Sequence, residues 1–317
     1  MARRRSLWRR LRRTTRGPRN AVLARAIRGL GAAVGALPVP VALALGRGLG
    51  TVAYAFMAGP RALAIAHMGL AFPDLDRTAR ARLARETFRH AGQSFVELAL
   101  WTKLTRRPGY VAVEGDEAIR AALAEGRGCI AVAGHLGNWE LLAATMAARG
   151  WPITVVARQV NDLRFHRLIY DFRTAAGVEV LLRDDASFLS AVRGALRRGR
   201  IVALLIDQDT RGAGVFVPFF GRPARTPPGA ALLALRARVP VLTAFIERRR
   251  DGGHLIRVAP LDVPPGNGRG RVIELTARMT AAIEAQIRRA PAEWVWWHER
   301  WRRRPPENQL YTPPTAW

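Results

Sequence analysis

A short apolar run that leads through a glycine-bracketed turn into a helix constrains the fold of this chain more than any other stretch. Residues 129–133 are Cys-Ile-Ala-Val-Ala, a pattern typical of a buried strand, and Gly134 and Gly137 bracket the turn that follows. His135 then lies where the strand ends, and Glu140 lies in the first turns of the helix. The stretch therefore predicts a strand–turn–helix unit that carries an imidazole and a carboxylate at its turn.

The turn can fold the Glu140 carboxylate back onto the His135 imidazole. Such a contact would fix the tautomer of the ring and stabilise its protonated form. A general base oriented by an acid is what removes the proton from a hydroxyl in acyl transfer. The alternative is a histidine that only caps a helix in an ordinary βα unit. Other parts of the chain are needed to choose between the two.

Predicted strands and helices alternate from residue 110 onward, which is typical of βαβ units and a largely parallel sheet. An Asp-Gly-Gly turn at residues 251–253 joins the last two strands as a hairpin, so the sheet is expected to be mixed. The predicted strands cover residues 110–114, 129–133, 152–157, 178–182, 201–206, 241–247 and 254–258.

Three of these strands deliver polar side chains at their carboxyl ends, where open α/β sheets bind ligands. His135 follows the strand at residues 129–133, Arg158 follows the strand at 152–157, and Asp207 and Asp209 follow the strand at 201–206. Arg158 could hold a phosphate or stabilise an oxyanion, or it could be a surface residue of an arginine-rich protein. The two acids could belong to a site, or they could merely cap the turn.

The net charge of the chain is +27, and almost all of it comes from arginine, since Lys103 is the only lysine. Such a surface is expected to bind anionic lipid, nucleic acid or an acidic protein. Cys129 is the only cysteine, so no intrachain disulfide can form and a reducing compartment fits. We interpret this cysteine, which lies within a predicted strand, as a core residue.

The N-terminal part of the chain predicts attachment to a membrane. Residues 1–20 carry nine arginines and no acidic residue, so they form a basic tail that is either disordered or lies on anionic headgroups. Residues 29–46 are uncharged, but glycines and a Pro-Val-Pro break interrupt them, and a second uncharged run covers residues 48–60. We expect a pair of short apolar segments embedded in one leaflet, with a single spanning helix as the alternative.

Two blocks resemble the late lipid A acyltransferases, lauroyl- and myristoyl-transferases of the bacterial inner membrane that are related to the phosphatidylinositol mannoside acyltransferases. His-Leu-Gly-Asn-Trp-Glu at residues 135–140 resembles the H-x4-D/E motif of that family. Trp-Trp-His-Glu-Arg-Trp-Arg-Arg-Arg-Pro at residues 296–305 resembles its C-terminal block. Weaker similarities include Glu97 and the apolar block at residues 216–226, whereas His67 replaces an expected asparagine. The resemblance covers roughly residues 21–306.

The resemblance implies a glycerolphosphate-acyltransferase-like α/β fold, with a mixed, largely parallel sheet flanked by helices and a helical, membrane-associated N-terminus. It implies an O-acyltransferase on the cytoplasmic face of the bacterial inner membrane, which moves a fatty acyl chain from a thioester to a hydroxyl of a lipid A precursor. We divide the chain into a basic tail (1–20), a membrane-embedded apolar segment (21–60), an acyltransferase domain (61–306) and a C-terminal tail (307–317).

By this resemblance, His135 is the general base and Glu140 orients it, while Arg158 and backbone amides of the turn stabilise the oxyanion. The block at residues 216–226 is predicted to be a loop, which could wall an acyl groove, as we favour, or be rigid and without a chemical role. No G-x-S-x-G elbow is present, so no acyl-enzyme is expected. No metal or cofactor is expected either. The predicted substrate-binding residues are Arg158, Asn138, Asp207, Asp209, Phe219, Phe220 and Gly221.

The expected partners are acyl carrier protein as the donor, a glycolipid acceptor and an anionic membrane surface. Carrier protein is acidic, so the basic surface would attract it, and acyl-CoA is the alternative donor. Two other functions stay open: transfer to another glycolipid of the mannoside type, and a non-catalytic basic protein that binds membrane or nucleic acid. The tryptophans near the C-terminus suit a membrane interface or a nucleic-acid stacking platform. No recognisable nucleic-acid-binding fold accompanies them, so no nucleic acid is expected.

Overall fold

The predicted tails at residues 1–20 and 307–317 lie outside the part of the chain that can be described, and so do residues 21–28. The computed structural model describes residues 29, 31, 33–158, 163–209 and 212–305.

The described chain alternates helices and strands after an all-helical start. The helices are α1 (Val39–Phe56), α2 (Ala58–Ala71), α3 (Arg77–Arg106), α4 (Asp116–Leu123), α5 (Trp139–Ala148), α6 (Leu163–Ala175), α7 (Phe188–Arg197), α8 (Gly229–Ala237) and α9 (Gly268–Arg289). The strands are β1 (Val111–Glu114), β2 (Cys129–Ala133), β3 (Ile153–Ala157), β4 (Glu179–Leu182), β5 (Ile201–Leu205), β6 (Val215–Phe219), β7 (Arg222–Thr226), β8 (Val241–Arg248) and β9 (His254–Pro260).

Seven strands form one sheet in the order β1-β9-β8-β2-β5-β3-β4. Strands β8, β2, β5, β3 and β4 run parallel to one another, whereas β9 is antiparallel to β8 and β1 is parallel to β9. The predicted Asp-Gly-Gly turn joins β8 to β9, and the Gly253 N–H donates to Asp251 Oδ1 at 3.0 Å. The mixed, largely parallel sheet predicted from the sequence is therefore confirmed.

Helices cover both faces of the sheet, so its central strand β2 is buried on both sides. Ile130 and Val132 pack into one core with α7, α8 and α9, while Cys129 and Ala131 pack into a second core with α3, α4 and α5. This double burial explains why β2 is a continuous apolar run without polar alternation. The thiol of Cys129 is buried, and burial raises its pKa to about 12, which agrees with a packing role.

Residues 33–36 are helical before the Pro-Val-Pro sequence and α1 follows it, so two helical pieces flank this break, and their embedding in one leaflet stays a prediction. The predicted break at the Pro-Val-Pro sequence is present, but α1 then continues through Arg47, whose guanidinium donates to Glu86 of α3 at 2.8 Å. A Cβ added at Gly92 of α3 would overlap the Gly46 carbonyl, and one at Gly50 would overlap the backbone of α3. The glycines therefore serve the close α1–α3 crossing and do not end the helix.

Among the described helices, α1 alone is long and apolar enough to cross a membrane by length and composition. Only 17% of its residues are buried within the protein. A helical, apolar N-terminal region, as predicted, is therefore present.

The block at residues 216–226 is a β-hairpin and not the predicted loop. Strands β6 and β7 pair antiparallel, and Phe220 and Gly221 at the turn have φ values of 52° and 68°. Positive φ at both turn residues is the geometry of a type I′ turn, which matches the twist of a two-stranded hairpin. Pro218 and Pro223 face each other in a pair of strands that has no further neighbour, where a missing N–H is tolerated.

Two C-terminal tryptophans lie in the protein core, although the sequence suggested a membrane interface or a stacking surface. Trp294 and Trp296 are fully buried, with ring centroids 4.7 Å apart. Arg300 is buried beside them, and its guanidinium donates to the Arg225 carbonyl and to Thr226 Oγ1, both at 2.6 Å. The C-terminal block therefore fastens the β6–β7 hairpin to the sheet.

Candidate active site

His135 and Asp207 meet at the carboxyl edge of the sheet, where β2 and β5 lie side by side. The parallel register pairs Ala133 of β2 with Leu205 of β5. His135 and Asp207 each lie two positions beyond this pair, on neighbouring strand ends. Asp207 Oδ1 lies 2.7 Å from His135 Nδ1, and Asp207 Oδ2 accepts a hydrogen bond from the His135 backbone N–H at 2.7 Å. One carboxylate therefore holds both the ring and the backbone of the histidine.

The Asp207 carboxylate is completely buried, and its Oδ2 also accepts from the Trp294 indole N–H at 2.8 Å. Burial alone would raise the pKa of this carboxyl, but the charge and hydrogen bond of His135, with the Trp294 N–H, hold it well below its usual range. Because an ionised carboxylate only accepts hydrogen bonds, the tautomer of a neutral His135 ring that fits this contact carries its proton on Nδ1 and keeps the lone pair on Nε2. The pair therefore presents a basic nitrogen on a ring that is 21% exposed.

His135 lines a cavity of about 600 Å³ at this edge of the sheet. Apolar side chains form part of its wall, among them Val156, Ile169, Leu204 and Leu233. Four guanidinium groups line it as well, those of Arg158, Arg173, Arg183 and Arg302. We refer to it as the arginine-lined cavity. Apolar walls with several guanidinium groups suit a ligand that has both a hydrocarbon part and anionic groups.

Glu140 pairs with an arginine, contrary to the prediction that it orients His135. Its carboxylate accepts two hydrogen bonds from the Arg173 guanidinium of α6, at 2.6 and 2.9 Å, and one from the Trp139 indole N–H at 3.2 Å. The α5 helix turns the Glu140 side chain toward α6, while β5 brings Asp207 to the imidazole. The motif carboxylate thus anchors Trp139 and Arg173, which both line the arginine-lined cavity.

Arg158 and Asp209 also lie at this edge of the sheet, as their positions after strands predict. Arg158 is mostly exposed and lines the cavity, where its guanidinium can meet an incoming anion. Asp209 is buried and lies close to three guanidinium groups, at 3.4 Å from Arg225, 3.5 Å from Arg303 and 4.0 Å from Arg302. Its carboxylate therefore pairs with Arg225 and with two arginines of the C-terminal block, and it does not contact His135.

The sequence matches a family of known enzymes over nearly its whole length. A model of the bacterial lipid A biosynthesis acyltransferases matches residues 13–303. This chain belongs to that family. The family resemblance and the enzyme class predicted from the sequence, an acyltransferase, are confirmed.

Individual members of the family support the same assignment. The lipid A biosynthesis lauroyltransferase of Escherichia coli (strain K12) is 30% identical over 277 residues, which cover 85% of this chain and 88% of the relative. The palmitoleoyltransferase of the same organism is 28% identical over 282 residues, or 87% and 90% of the two chains. A phosphatidylinositol mannoside acyltransferase of Mycobacterium tuberculosis (strain ATCC 25618 / H37Rv) is 28% identical over 201 residues, or 63% and 62%.

Asn138 of this acyltransferase is a residue of the helix start, although the sequence suggested a substrate contact. Its Oδ1 accepts from the Leu141 N–H at 3.0 Å and so caps α5. Its Nδ2 donates to Glu97 Oε2 at 2.9 Å and to the Ser94 carbonyl at 3.3 Å. Since the buried amide makes these protein contacts with both ends, its task is to hold the turn that carries His135.

The predicted groove residues of the hairpin are packed away from the arginine-lined cavity. Phe219 and Phe220 are buried among the C-terminal tryptophans, and Gly221 lies at the hairpin turn. Part of the cavity wall is instead formed by the segment that follows the hairpin, through Pro227 and Ala230. A type I′ hairpin buries both aromatic rings, which the loop interpretation of the sequence did not anticipate.

Three backbone amides of the turn have partners within the protein, although the sequence suggested the amides of this turn as oxyanion donors. The His135 N–H donates to Asp207, the Leu136 N–H to the Gly134 carbonyl at 2.8 Å, and the Gly137 N–H to the Glu293 carbonyl at 3.0 Å. Guanidinium groups of the cavity are therefore the better candidates for meeting a developing negative charge.

A second imidazole beside the first was missed by sequence reasoning. The His298 ring centroid lies 5.3 Å from that of His135, and Gln208 Nε2 lies 2.8 Å from His298 Nδ1. Burial, together with the charge of His135, lowers the pKa of His298 to about 4, so the ring is neutral near pH 7. The C-terminal Trp-x-His-x-Arg block contained this histidine, but only the fold shows that it lies beside His135.

Proposed function

We propose that this acyltransferase moves a fatty acyl chain from a thioester to a hydroxyl of a lipid A-type glycolipid, with His135 as the general base and Asp207 as the residue that orients it. The observation that carries the proposal is the buried Asp207 carboxylate bonded to Nδ1 of an imidazole that lines the arginine-lined cavity. A base near the operating pH, held in one tautomer, is what hydroxyl activation needs.

In the proposed reaction, the acceptor hydroxyl gives its proton to His135 Nε2 as its oxygen attacks the thioester carbonyl carbon. Asp207 stays ionised and stabilises the imidazolium that forms, as the acid of a histidine-based triad does. The carbon–sulfur bond then breaks, the imidazolium returns the proton to the leaving thiolate, and an ester and a free thiol result. Arg158, at the exposed edge of the cavity, is proposed to stabilise the oxyanion or to hold an acceptor phosphate.

Glu140 acts in this scheme by holding Trp139 and Arg173 in the cavity wall. A carboxylate bonded twice to one guanidinium fixes that group in a single orientation. We propose that this pair shapes the substrate site and that proton transfer does not depend on it directly.

The proposed donor is acyl carrier protein. The chain carries a net charge of +27, and four guanidinium groups line the cavity that contains His135. An acidic carrier would be attracted to such a surface, and its association would weaken as salt screens the charges. Acyl-CoA is the alternative, and its phosphates would meet the same guanidinium groups.

The proposed acceptor is a phosphorylated lipid A precursor. Relatives named for lipid A biosynthesis match 85–87% of this chain, whereas the mannoside acyltransferase matches 63%. Guanidinium groups bind phosphate oxygens well. The proposed location is the cytoplasmic face of the bacterial inner membrane, with residues 21–60 in the membrane and residues 61–306 as the acyltransferase domain.

Acyl transfer from labelled acyl carrier protein to a membrane glycolipid extract tests the proposal. Wild type should label a glycolipid whose mass identifies the acceptor, and His135→Ala should not. Acyl-CoA in parallel reactions identifies the preferred donor. Equal transfer by both proteins would remove His135 from the mechanism, and no transfer by the folded wild type with either donor would contradict the acyltransferase proposal.

A further inference from the structure

Helix α1 presents an apolar face to the outside of the protein. Val41, Leu45, Leu49, Val52 and Phe56 recur every three or four residues and are all exposed, so they form one stripe. Phe95 of α3 extends the same surface and is 60% exposed. A stripe of this kind suits the hydrocarbon of a lipid bilayer.

Two adjoining cavities lead inward from this face, and we call them together the membrane-side groove. The outer cavity measures about 270 Å³ and the inner one about 190 Å³. Ala91, Phe95 and Trp297 line both, so the two spaces adjoin along α3. The groove lies next to the glycine crossing of α1 and α3, where small side chains such as Ala53 and Ala91 leave room beside two closely packed helices.

The outer part of the groove has a wholly apolar lining, and polar side chains join apolar ones in the inner part. The outer cavity is lined by apolar residues and glycine, with Leu49 and Met57 at the exposed face. His90, Ser94 and Glu293 line the inner cavity. An amphipathic ligand with its hydrocarbon chain outward and its polar part inward matches this arrangement.

The inner end of the groove meets the turn that carries the base. Asn138, Trp139 and Glu140 line it. Trp139 also lines the arginine-lined cavity, and its ring lies edge-on to His135 with centroids 5.1 Å apart. The groove and the arginine-lined cavity therefore share the Trp139 side chain as a common wall, one opening on the apolar face and the other among arginines.

We propose that the membrane-side groove holds a hydrocarbon chain of the lipid acceptor, so that the acceptor enters from the bilayer while the thioester donor enters through the arginine-lined cavity. This inference rests on the proposed function, since it takes the acceptor to be a lipid. It gives Trp139 a place between the two substrates, and it gives the exposed α1 face a role in substrate delivery as well as in attachment.

The test fills the outer cavity and leaves the catalytic turn unchanged. Ala53→Trp puts a large side chain into the groove, and Ala55→Trp is the matched control, because Ala55 lies two positions away on the same helix, is exposed and lies outside the groove lining. Both variants are compared with wild type on a long-chain glycolipid acceptor in phosphatidylethanolamine–phosphatidylglycerol vesicles, and on a short-chain analogue of that acceptor. Ala53→Leu replaces Ala53→Trp if the larger change prevents folding.

We expect Ala53→Trp to raise KM for the long-chain acceptor about tenfold, the effect of losing the burial of about two methylene groups. KM for the short-chain analogue and for the acyl donor should be unchanged, and Ala55→Trp should match wild type throughout. Unchanged KM in Ala53→Trp, or an equal rise for both acceptors, would overturn the inference. A shift in donor chain-length preference would also overturn it, since the groove would then hold the donor chain.

A second measurement separates this inference from the proposed function, because it needs no turnover. A glycolipid with a photoreactive group at the end of its acyl chain is crosslinked to the protein in the same vesicles, and the labelled peptides are identified by mass spectrometry. Wild type and Ala55→Trp should be labelled in α1 or α3 near Met57 and Phe95, and Ala53→Trp should lose that label. Label confined to the lipid-facing stripe, unchanged by Ala53→Trp, would mean that the bilayer only surrounds the helix.

Discussion

Two buried carboxylates of this protein each contact a histidine, but only one of these pairs lines a cavity at the sheet edge. Asp207 contacts His135, whose ring lines the arginine-lined cavity. Glu97 of α3 contacts His254, which is fully buried, and both of its oxygens accept from the Arg248 guanidinium, at 2.6 and 3.0 Å. Both contacts join a carboxylate to an imidazole, but only the His135 ring lines a cavity that a ligand could enter.

The Glu97–His254 pair lies in a cluster of buried polar groups that lower the pKa of the carboxylate. Burial alone would raise the pKa of Glu97, but the hydrogen bonds and charges of His254 and Arg248 hold it well below its usual range. Burial lowers the pKa of His254, and the Arg248 guanidinium supplies a positive charge beside the Glu97 carboxylate. Tyr110 and Asn138 complete the cluster. Such a closed cluster joins α3, β8 and the start of α5, and it has a structural role.

The largest expected effect comes from Asp207→Asn. The amide keeps the size of the carboxylate but can donate to His135 Nδ1, which would move the ring proton to Nε2 and remove the basic lone pair. We expect kcat to fall by about 10³- to 10⁴-fold, as when the orienting acid of a histidine triad is lost. Steady-state acyl transfer, with circular dichroism to verify folding, measures this.

Glu140→Gln is the matched comparison for that substitution. It removes the charge that fixes Arg173 but leaves the His135–Asp207 contact in place, so we expect a loss of about tenfold, much smaller than for Asp207→Asn. If Glu140→Gln were as damaging as Asp207→Asn and left the protein folded, the motif carboxylate would be the orienting acid after all.

Glu97→Gln should affect stability and not the chemistry of the folded enzyme. It leaves the mostly buried Arg248 guanidinium without its anionic partner, and breaking a buried ion pair in this way costs about 3–5 kcal/mol of unfolding free energy. Thermal unfolding in detergent measures the loss. Below the new melting temperature, kcat per folded molecule should stay within about twofold of wild type. A kcat as low as that of Asp207→Asn would break the distinction between the two pairs.

The pH dependence of stability should include a contribution from Glu293, which lies beside the closed cluster. Burial raises its pKa from 4.5 to about 7, although the Arg248 backbone N–H donates to it. The folded protein therefore keeps a proton that the unfolded chain releases above pH 4.5, and the free energy of unfolding falls by at most about 3 kcal/mol as the pH rises from 4.5 to 7.

Glu293→Gln removes that titration, so its melting temperature should exceed that of wild type at pH 8 and approach it at pH 5. Glu125→Gln, at an exposed position, is the control and should follow wild type at both pH values. Melting temperatures that keep the same difference at pH 5 and pH 8 would show that Glu293 does not titrate in this range.

The smallest expected effect comes from Arg158→Ala at the open edge of the cavity. The Arg158 side chain is 65% exposed, and the Asp184 carboxylate lies 3.9 Å from its guanidinium. We expect stability to be unchanged and kcat/KM to fall about threefold, since an exposed charge contributes modestly. Repeating the assay at several salt concentrations checks this, because a contact with an anionic substrate should lose its advantage as salt rises.

Local patterns were sufficient for much of the fold. The apolar run and the two glycines of the motif predicted β2, its turn and α5, because strand and helix starts depend on neighbouring residues. The same holds for the Asp-Gly-Gly hairpin, and the strand ends correctly indicated which edge of the sheet carries His135, Arg158 and Asp209. The family resemblance rested on contiguous blocks, and it was confirmed.

The sequence by itself determined that a histidine stands at the end of a buried strand in an acyltransferase of α/β type. Only the tertiary structure decided that Asp207 contacts its ring, because the strand that precedes Asp207 lies beside β2 in the sheet although 72 residues separate the two side chains. Spacing along the chain favoured Glu140, which the helix turns toward Arg173. Strand order and helix packing depend on the whole core, so no local sequence pattern predicts them.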